Sequence, residues 1–133
     1  MKKTISFLLL FTLFLAGCNT FDGSEDYHPI VVHKIESTSG KSVSQYHRTV
    51  KKRQDISFVK KITKEDYHEK MVELPSSEAD YTFYFDNPYA KSILYRLWIL
   101  PGNIAVMGHG GWYVELSKEN SEKLMNIFNI NLK

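Results

Sequence analysis

The sequence predicts an α+β fold: an antiparallel meander of about four to six strands, one helix after the first strands, and a C-terminal helix. Three observations carry that prediction. Short alternating apolar runs recur from Tyr81 to Leu116, punctuated by Asp86-Asn87-Pro88, Pro101-Gly102-Asn103 and Gly108-His109-Gly110-Gly111. Two stretches, from Asp55 and from Lys118, instead space their apolar residues three and four apart. The 133 residues include eight Phe, eight Tyr and two Trp, with every Tyr and Trp after residue 17, aromatic content that suits a core with no need of disulfides.

The chain opens with Lys2 and Lys3, an apolar run from Ile5 to Leu15, small residues, and its only cysteine, Cys18. That order is the layout of an export signal. The run is shorter than the roughly 20 apolar residues a membrane span needs. Leu15-Ala16-Gly17-Cys18 resembles the lipobox of bacterial lipoproteins. The resemblance implies cleavage after residue 17, a diacylglyceryl group on the Cys18 sulfur, and a chain held on the extracytoplasmic face of the cell membrane. The bland alternative is an ordinary signal peptide with a chance cysteine. Residues 1–17 are thus expected to be the signal, 18–28 the lipidated Cys and a polar tether, and 29–133 a single domain. A coil of about ten residues reaches roughly 17 Å on average, so the domain is expected close to the bilayer.

Removing Lys2 and Lys3 brings the 17 basic residues to parity with the 15 acidic ones. A neutral domain predicts no nucleic-acid partner and no global pull toward anionic lipid. An acylated Cys18 leaves no thiol, which excludes disulfides, zinc-cysteine sites and a cysteine nucleophile.

Pro29 to Ile35 is rich in β-branched residues and reads as the first strand. Residues 36–41 (ESTSGK) read as a loop. The weaker strand Val43 to Val50 sets Val43, Gln45, His47 and Thr49 against Ser44, Tyr46, Arg48 and Val50. Arg48, Lys51, Lys52 and Arg53 form a basic cluster, suited to lipid phosphates or an anionic polymer, or simply to a solvated loop. Asp55 is expected to cap a helix through Tyr67, with Ile56, Val59 and Ile62 as its buried stripe. Residues 68–74 either extend that helix or place a short edge strand at Met71 to Leu74; 75–80 are loop.

Tyr81 to Phe85 alternates cleanly. Ser92 to Leu100 carries apolar residues on both faces, the pattern of a central strand covered on both sides or of one whose second face is partly exposed. Asn103 to Met107 and Trp112 to Leu116 complete the meander. Ser117 caps a closing helix, Lys118 to Phe128, with Leu124, Ile127 and Phe128 inward. The segments Asp80-Tyr81, Tyr95-x-Leu97-Trp98-Ile99, Trp112-Tyr113-x-x-Leu116-Ser117 and Leu124-x-x-Ile127 are similar to the YhfM-type domain of small Gram-positive lipoproteins. That resemblance implies fold and location, and it transfers no site residues.

Reactive constellations do not stand out. His109-Gly110-Gly111 resembles an esterase oxyanion run, but no G-x-S-x-G elbow accompanies it and a glycine-rich turn explains it. The five histidines lack metal-ligand spacing, so no metal or other cofactor is expected. The tetrapeptide Glu-Asp-Tyr-His, at 25–28 and 65–68, has no matching flanks. A carboxylate pair from distant positions stays open, with Glu115 beside Tyr113 its leading member.

Tyr84, Arg96, Trp98 and Tyr113 fall on the sheet face away from the helices. Arg with aromatics is the make-up of a binding hot spot, and Arg96, Trp98 and Tyr113 are the candidate binding face. The same residues equally suit a second layer of core under the first helix. The expected function is a monomeric, non-catalytic interaction module that binds an envelope protein or polymer. The alternative is an envelope hydrolase, or an inhibitor of one; a purely structural component is the third reading.

Overall fold

A computed structural model describes residues 27–64, 67 and 69–132 of the chain. The signal, Cys18 and the tether as far as residue 26 lie outside these. Chain order is β1 (Ile30–Thr38), β2 (Lys41–Val50), α1 (Arg53–Ile62), β3 (Lys70–Met71), β4 (Tyr81–Phe85), β5 (Tyr95–Leu100), β6 (Ile104–His109), β7 (Trp112–Glu115) and α2 (Lys118–Ile127). One seven-stranded antiparallel sheet runs β2-β1-β4-β5-β6-β7-β3. The class is therefore α+β, with more strands than the sequence suggested. The meander β4–β7 is as expected, and β5 is the middle strand of the sheet.

The strands β1 and β2 absorb most of the loop expected at 36–41. Ser39 and Gly40 both have positive φ, 53° and 76°, the geometry of a two-residue type I′ turn. That turn matches strand twist, so pairing continues to Thr38 and Lys41. The register then shifts between Val32 and His33: Val32 faces Arg48 while His33 faces Tyr46, leaving His47 as the extra residue of a bulge. The bulge overturns the alternation assigned to β2. Thr49 joins Tyr46, and their hydroxyls hydrogen-bond at 2.9 Å. His47 turns the other way, where its Nε2–H donates to the Phe128 carbonyl at 2.9 Å.

Helix α1 starts two residues before Asp55 and stops before Tyr67. Lys52 is its N-cap and makes no side-chain cap, so Asp55 lies in the first turn, acting on the helix dipole instead of capping. At the other end the Thr63 hydroxyl donates to the Val59 carbonyl at 2.9 Å and ends the helix. The buried stripe Ile56, Val59 and Ile62 is as expected. Among the described residues of the ambiguous segment, Lys70–Met71 forms a strand, pairing with Glu115 and Val114 at the sheet edge. Strand β5 begins at Tyr95, three residues later than expected, and Ile93 and Leu94 are exposed ahead of it.

Helix α2 is capped as expected, the Ser117 hydroxyl accepting from the Asn120 N–H at 3.2 Å. Both helices bury their stripes on one sheet face, against Ile30, Val32, Phe83, Leu97, Met107 and Val114. Ser121 is buried there too; its hydroxyl accepts from the Ala105 N–H at 2.8 Å and donates to the Leu116 carbonyl. Those bonds satisfy backbone groups of β6 and of the link to α2 in an apolar setting, where an unpaired one would cost about 1–3 kcal/mol.

Candidate functional site

The outer face of the sheet carries one row of residues across six strands. Cross-strand pairing sets Tyr46, His33, Thr82, Arg96, Gly108 and Tyr113 side by side. The two ends of this row meet different fates.

Toward β7 the row is closed. Trp98 and Tyr113 are each only 2 % exposed, packed with Val106 and Ala79. Residues 72–80 cover them, and the Trp98 indole N–H donates to the Ser77 carbonyl at 2.9 Å. Arg96 is half-buried; its guanidinium lies 5.6 Å from both the Trp98 and Tyr113 rings and donates to the Tyr113 hydroxyl. Gly108 makes that reach possible. A Cβ there would collide with the Trp112 carbonyl oxygen and crowd the Tyr113 Cα at 2.8 Å. The expected binding face of Arg96, Trp98 and Tyr113 is therefore not an open surface. It is a second, small core, formed not under the first helix, whose stripe packs on the opposite face, but under an irregular segment that alternation within the strands does not reveal.

Toward β2 the row is open. Tyr46 is 64 % exposed. The His33 ring lies 6.2 Å from Tyr46, edge-on, and 6.2 Å from Tyr84, stacked. This strip of three rings borders Arg96 through Thr82. Tyr84 was legible in the sequence; Tyr46 was not, because the bulge at His47 is invisible to a period-two count, and His33 joins the strip only through its pairing opposite Tyr46.

Glu115 is ion-paired with Lys70 at 3.0 Å on the sheet edge instead of resting against the aromatic group. His109 belongs to β6, its ring 5.1 Å edge-on to Tyr95, so the turn shrinks to Gly110-Gly111. Among the described residues no group of three His, Cys, Asp or Glu side chains is placed to hold a metal ion. Nor, among these residues, is any helix long and apolar enough to cross a membrane.

A polar cluster ties the start of the covering segment to α2. The Tyr67 hydroxyl donates to Glu69 at 3.0 Å, and the Asn120 amide donates to Tyr67 at 3.0 Å. Partial burial works against the Glu69 charge. Hydrogen bonds from the Ser117 hydroxyl and backbone N–H, Tyr67 and Asn120 outweigh it, holding the carboxyl below its usual range. Burial, then the bond to Glu69 and its charge, raises the Tyr67 phenol. On the helix side of the sheet a cavity of about 290 Å³ is lined by Lys34, Asp80, Tyr81 and Ile99. The Asp80 carboxylate accepts the Ile99 N–H at 2.7 Å, so it is engaged in holding the 80–81 bend.

Fold and site together define a small α+β domain with one closed and one open aromatic patch. No family model, no curated protein and no solved structure matches the chain.

Proposed function

We propose that this protein is a small, non-catalytic binding module, held on the extracytoplasmic face of the membrane through a diacylglyceryl group on Cys18. The strip of His33, Tyr46 and Tyr84 is its contact surface for an envelope protein or polymer. The observation that carries this reading is the open strip itself. Three aromatic rings share one sheet face and border a half-buried Arg; Tyr46 is largely exposed, and His33 and Tyr84 are half-buried. Rings of this kind offer large contact area at little side-chain entropy cost.

The anchor and the strip are tested separately. Wild-type protein is expected to fractionate with membranes at high salt, and Cys18→Ala protein to be unlipidated; identical partitioning of the two overturns the anchor. For the strip, the lipidated chain is cross-linked in isolated envelopes and its adducts compared with those of Tyr46→Ala. Adducts that persist unchanged in the variant would place the contact elsewhere. Turnover of peptidoglycan by the wild type that vanishes in Glu115→Gln would replace binding by hydrolysis.

A further inference from the structure

One end of the sheet gathers three segments far apart in sequence. Ile30 pairs with both Val50 and Phe85, so the start of β1 and the ends of β2 and β4 coincide. The Asp86 N–H donates to the Pro29 carbonyl at 2.8 Å and fastens them. The chain that arrives from Cys18 therefore joins the fold here, with Tyr27 its first described residue.

This end carries a group of cationic side chains and is partly apolar. Lys51, Lys52 and Arg53 are exposed where β2 passes into α1. The Arg53 guanidinium lies 4.6 Å from the centroid of the Tyr27 ring, and the Lys60 ammonium 5.9 Å from it. Between α1 and segment 86–94 is a cavity of about 250 Å³, lined by His28, Lys60 and Lys91 together with Ser92, Phe85 and Tyr95. Beside it Tyr89 is 94 % exposed, and Ile93 and Leu94 are about half exposed. Asp55 and Asp86 are the acids on the same segments, and the tether adds Asp22, Glu25 and Asp26. Net charge therefore does not drive attraction at this end; the local cations of the cavity must.

We propose that this end is a bilayer-contact surface. The cavity receives the phosphate of an anionic lipid headgroup, while Tyr89, Ile93 and Leu94 sit at the boundary with the acyl chains. Cations lining a concave site concentrate phosphate, and Tyr with aliphatic neighbours is at home at that depth. The inference rests on the anchored reading above, because a tether of about ten residues starting from this end favours it as the side nearest the membrane.

Acylated Cys18 leaves the chain without another thiol. A Pro88→Cys variant therefore takes one environment-sensitive fluorophore at the proposed contact, and Thr38→Cys takes one at the opposite end of the sheet. Both lipidated chains are reconstituted in vesicles carrying a nitroxide-labelled quencher lipid. With phosphatidylglycerol present, the label at 88 is expected to be quenched and the label at 38 not. Quenching at 88 should fall about threefold or more in pure phosphatidylcholine and in Lys60→Glu/Lys91→Glu, since each removed cation weakens headgroup attraction. Should the double variant not fold, Lys91→Glu alone changes an exposed side chain and gives the same reading. Equal quenching at 88 and 38, or indifference to both headgroup and charge reversal, overturns the proposal. So does inorganic phosphate altering the emission at 88 where vesicles do not, which would assign the cavity to a free anion. Mass spectrometry of the Cys18 peptide reports on the anchor independently. Without an acyl group the anchoring falls, and the contact is then scored on a Cys18→Ala chain added to the same vesicles.

Discussion

The two faces of this sheet bury aromatic side chains by different means. On the helix face Phe83 is fully buried, its ring 5.0 Å from Phe128 and 5.1 Å from Tyr95, beneath two amphipathic helices. On the outer face Trp98 and Tyr113 are nearly as inaccessible, yet an irregular stretch does the covering. Two strands further along, that cover ends and the same row lies open. Strand alternation decides which face a residue occupies. What crosses over that face decides whether it is core or surface.

Truncations on the two faces sharpen this contrast, and the largest loss is expected on the helix face. Phe83→Ala should cost about 4–5 kcal/mol, because rigid helices cannot close around the void. Trp98→Ala should cost nearer about 3 kcal/mol, since residues 72–80 have freedom to settle into the space. Denaturant unfolding measures both, and hydrogen exchange locates them. Trp98→Ala is expected to open 72–80 while α1 and α2 keep their protection. If both helices lose protection equally, the two faces form a single cooperative core and the contrast fails.

A smaller effect comes from acid. Glu69 has a folded-state pKa below its unfolded value, so its contribution is complete above the ordinary glutamate range. It is lost as pH falls through the depressed folded value. Thermal melts of the wild type should therefore weaken on acidification through that window, more steeply than those of Glu69→Gln. Equal slopes would mean that the clamp on the covering segment contributes nothing. The smallest effect is expected in the open strip. Tyr46→Ala should change stability by no more than about 0.5 kcal/mol, as an exposed side chain outside the core. A loss as large as that of Trp98→Ala would show the strip to be covered in solution and remove it as a contact surface.

Local signals in the sequence were enough for the meander, since turn residues separate short apolar runs, of which Tyr81 to Phe85 alternates most cleanly. The Ser117 cap and the stripes of both helices were legible for the same reason. Three features were not. The bulge at His47 needs one unpaired residue, which only the partner strand can reveal. The early start of α1 follows from Lys52 taking an extended conformation, with no capping side chain to announce it. The cover over Trp98 depends on a bond to the Ser77 carbonyl, 21 residues away, in a stretch without periodicity. The candidate site inherited that last blindness. Its Arg and aromatics were correctly grouped, but the closed and open ends of the row were not told apart.

The strand order also sets the timing of assembly. Hairpin β1–β2 closes through a two-residue turn, and meander β4–β7 through segment 86–94 and two short turns, so both can form early and locally. Joining them requires Ile30 to meet Phe85 across the whole of β2, α1 and the covering segment. Loop-closure entropy falls due at that step, before the shared core repays it. The docking of hairpin on meander should therefore limit the folding rate of the domain. In stopped-flow kinetics Ile30→Val is expected to slow folding, whereas Met71→Ala, on the last edge strand, should act mainly by speeding unfolding.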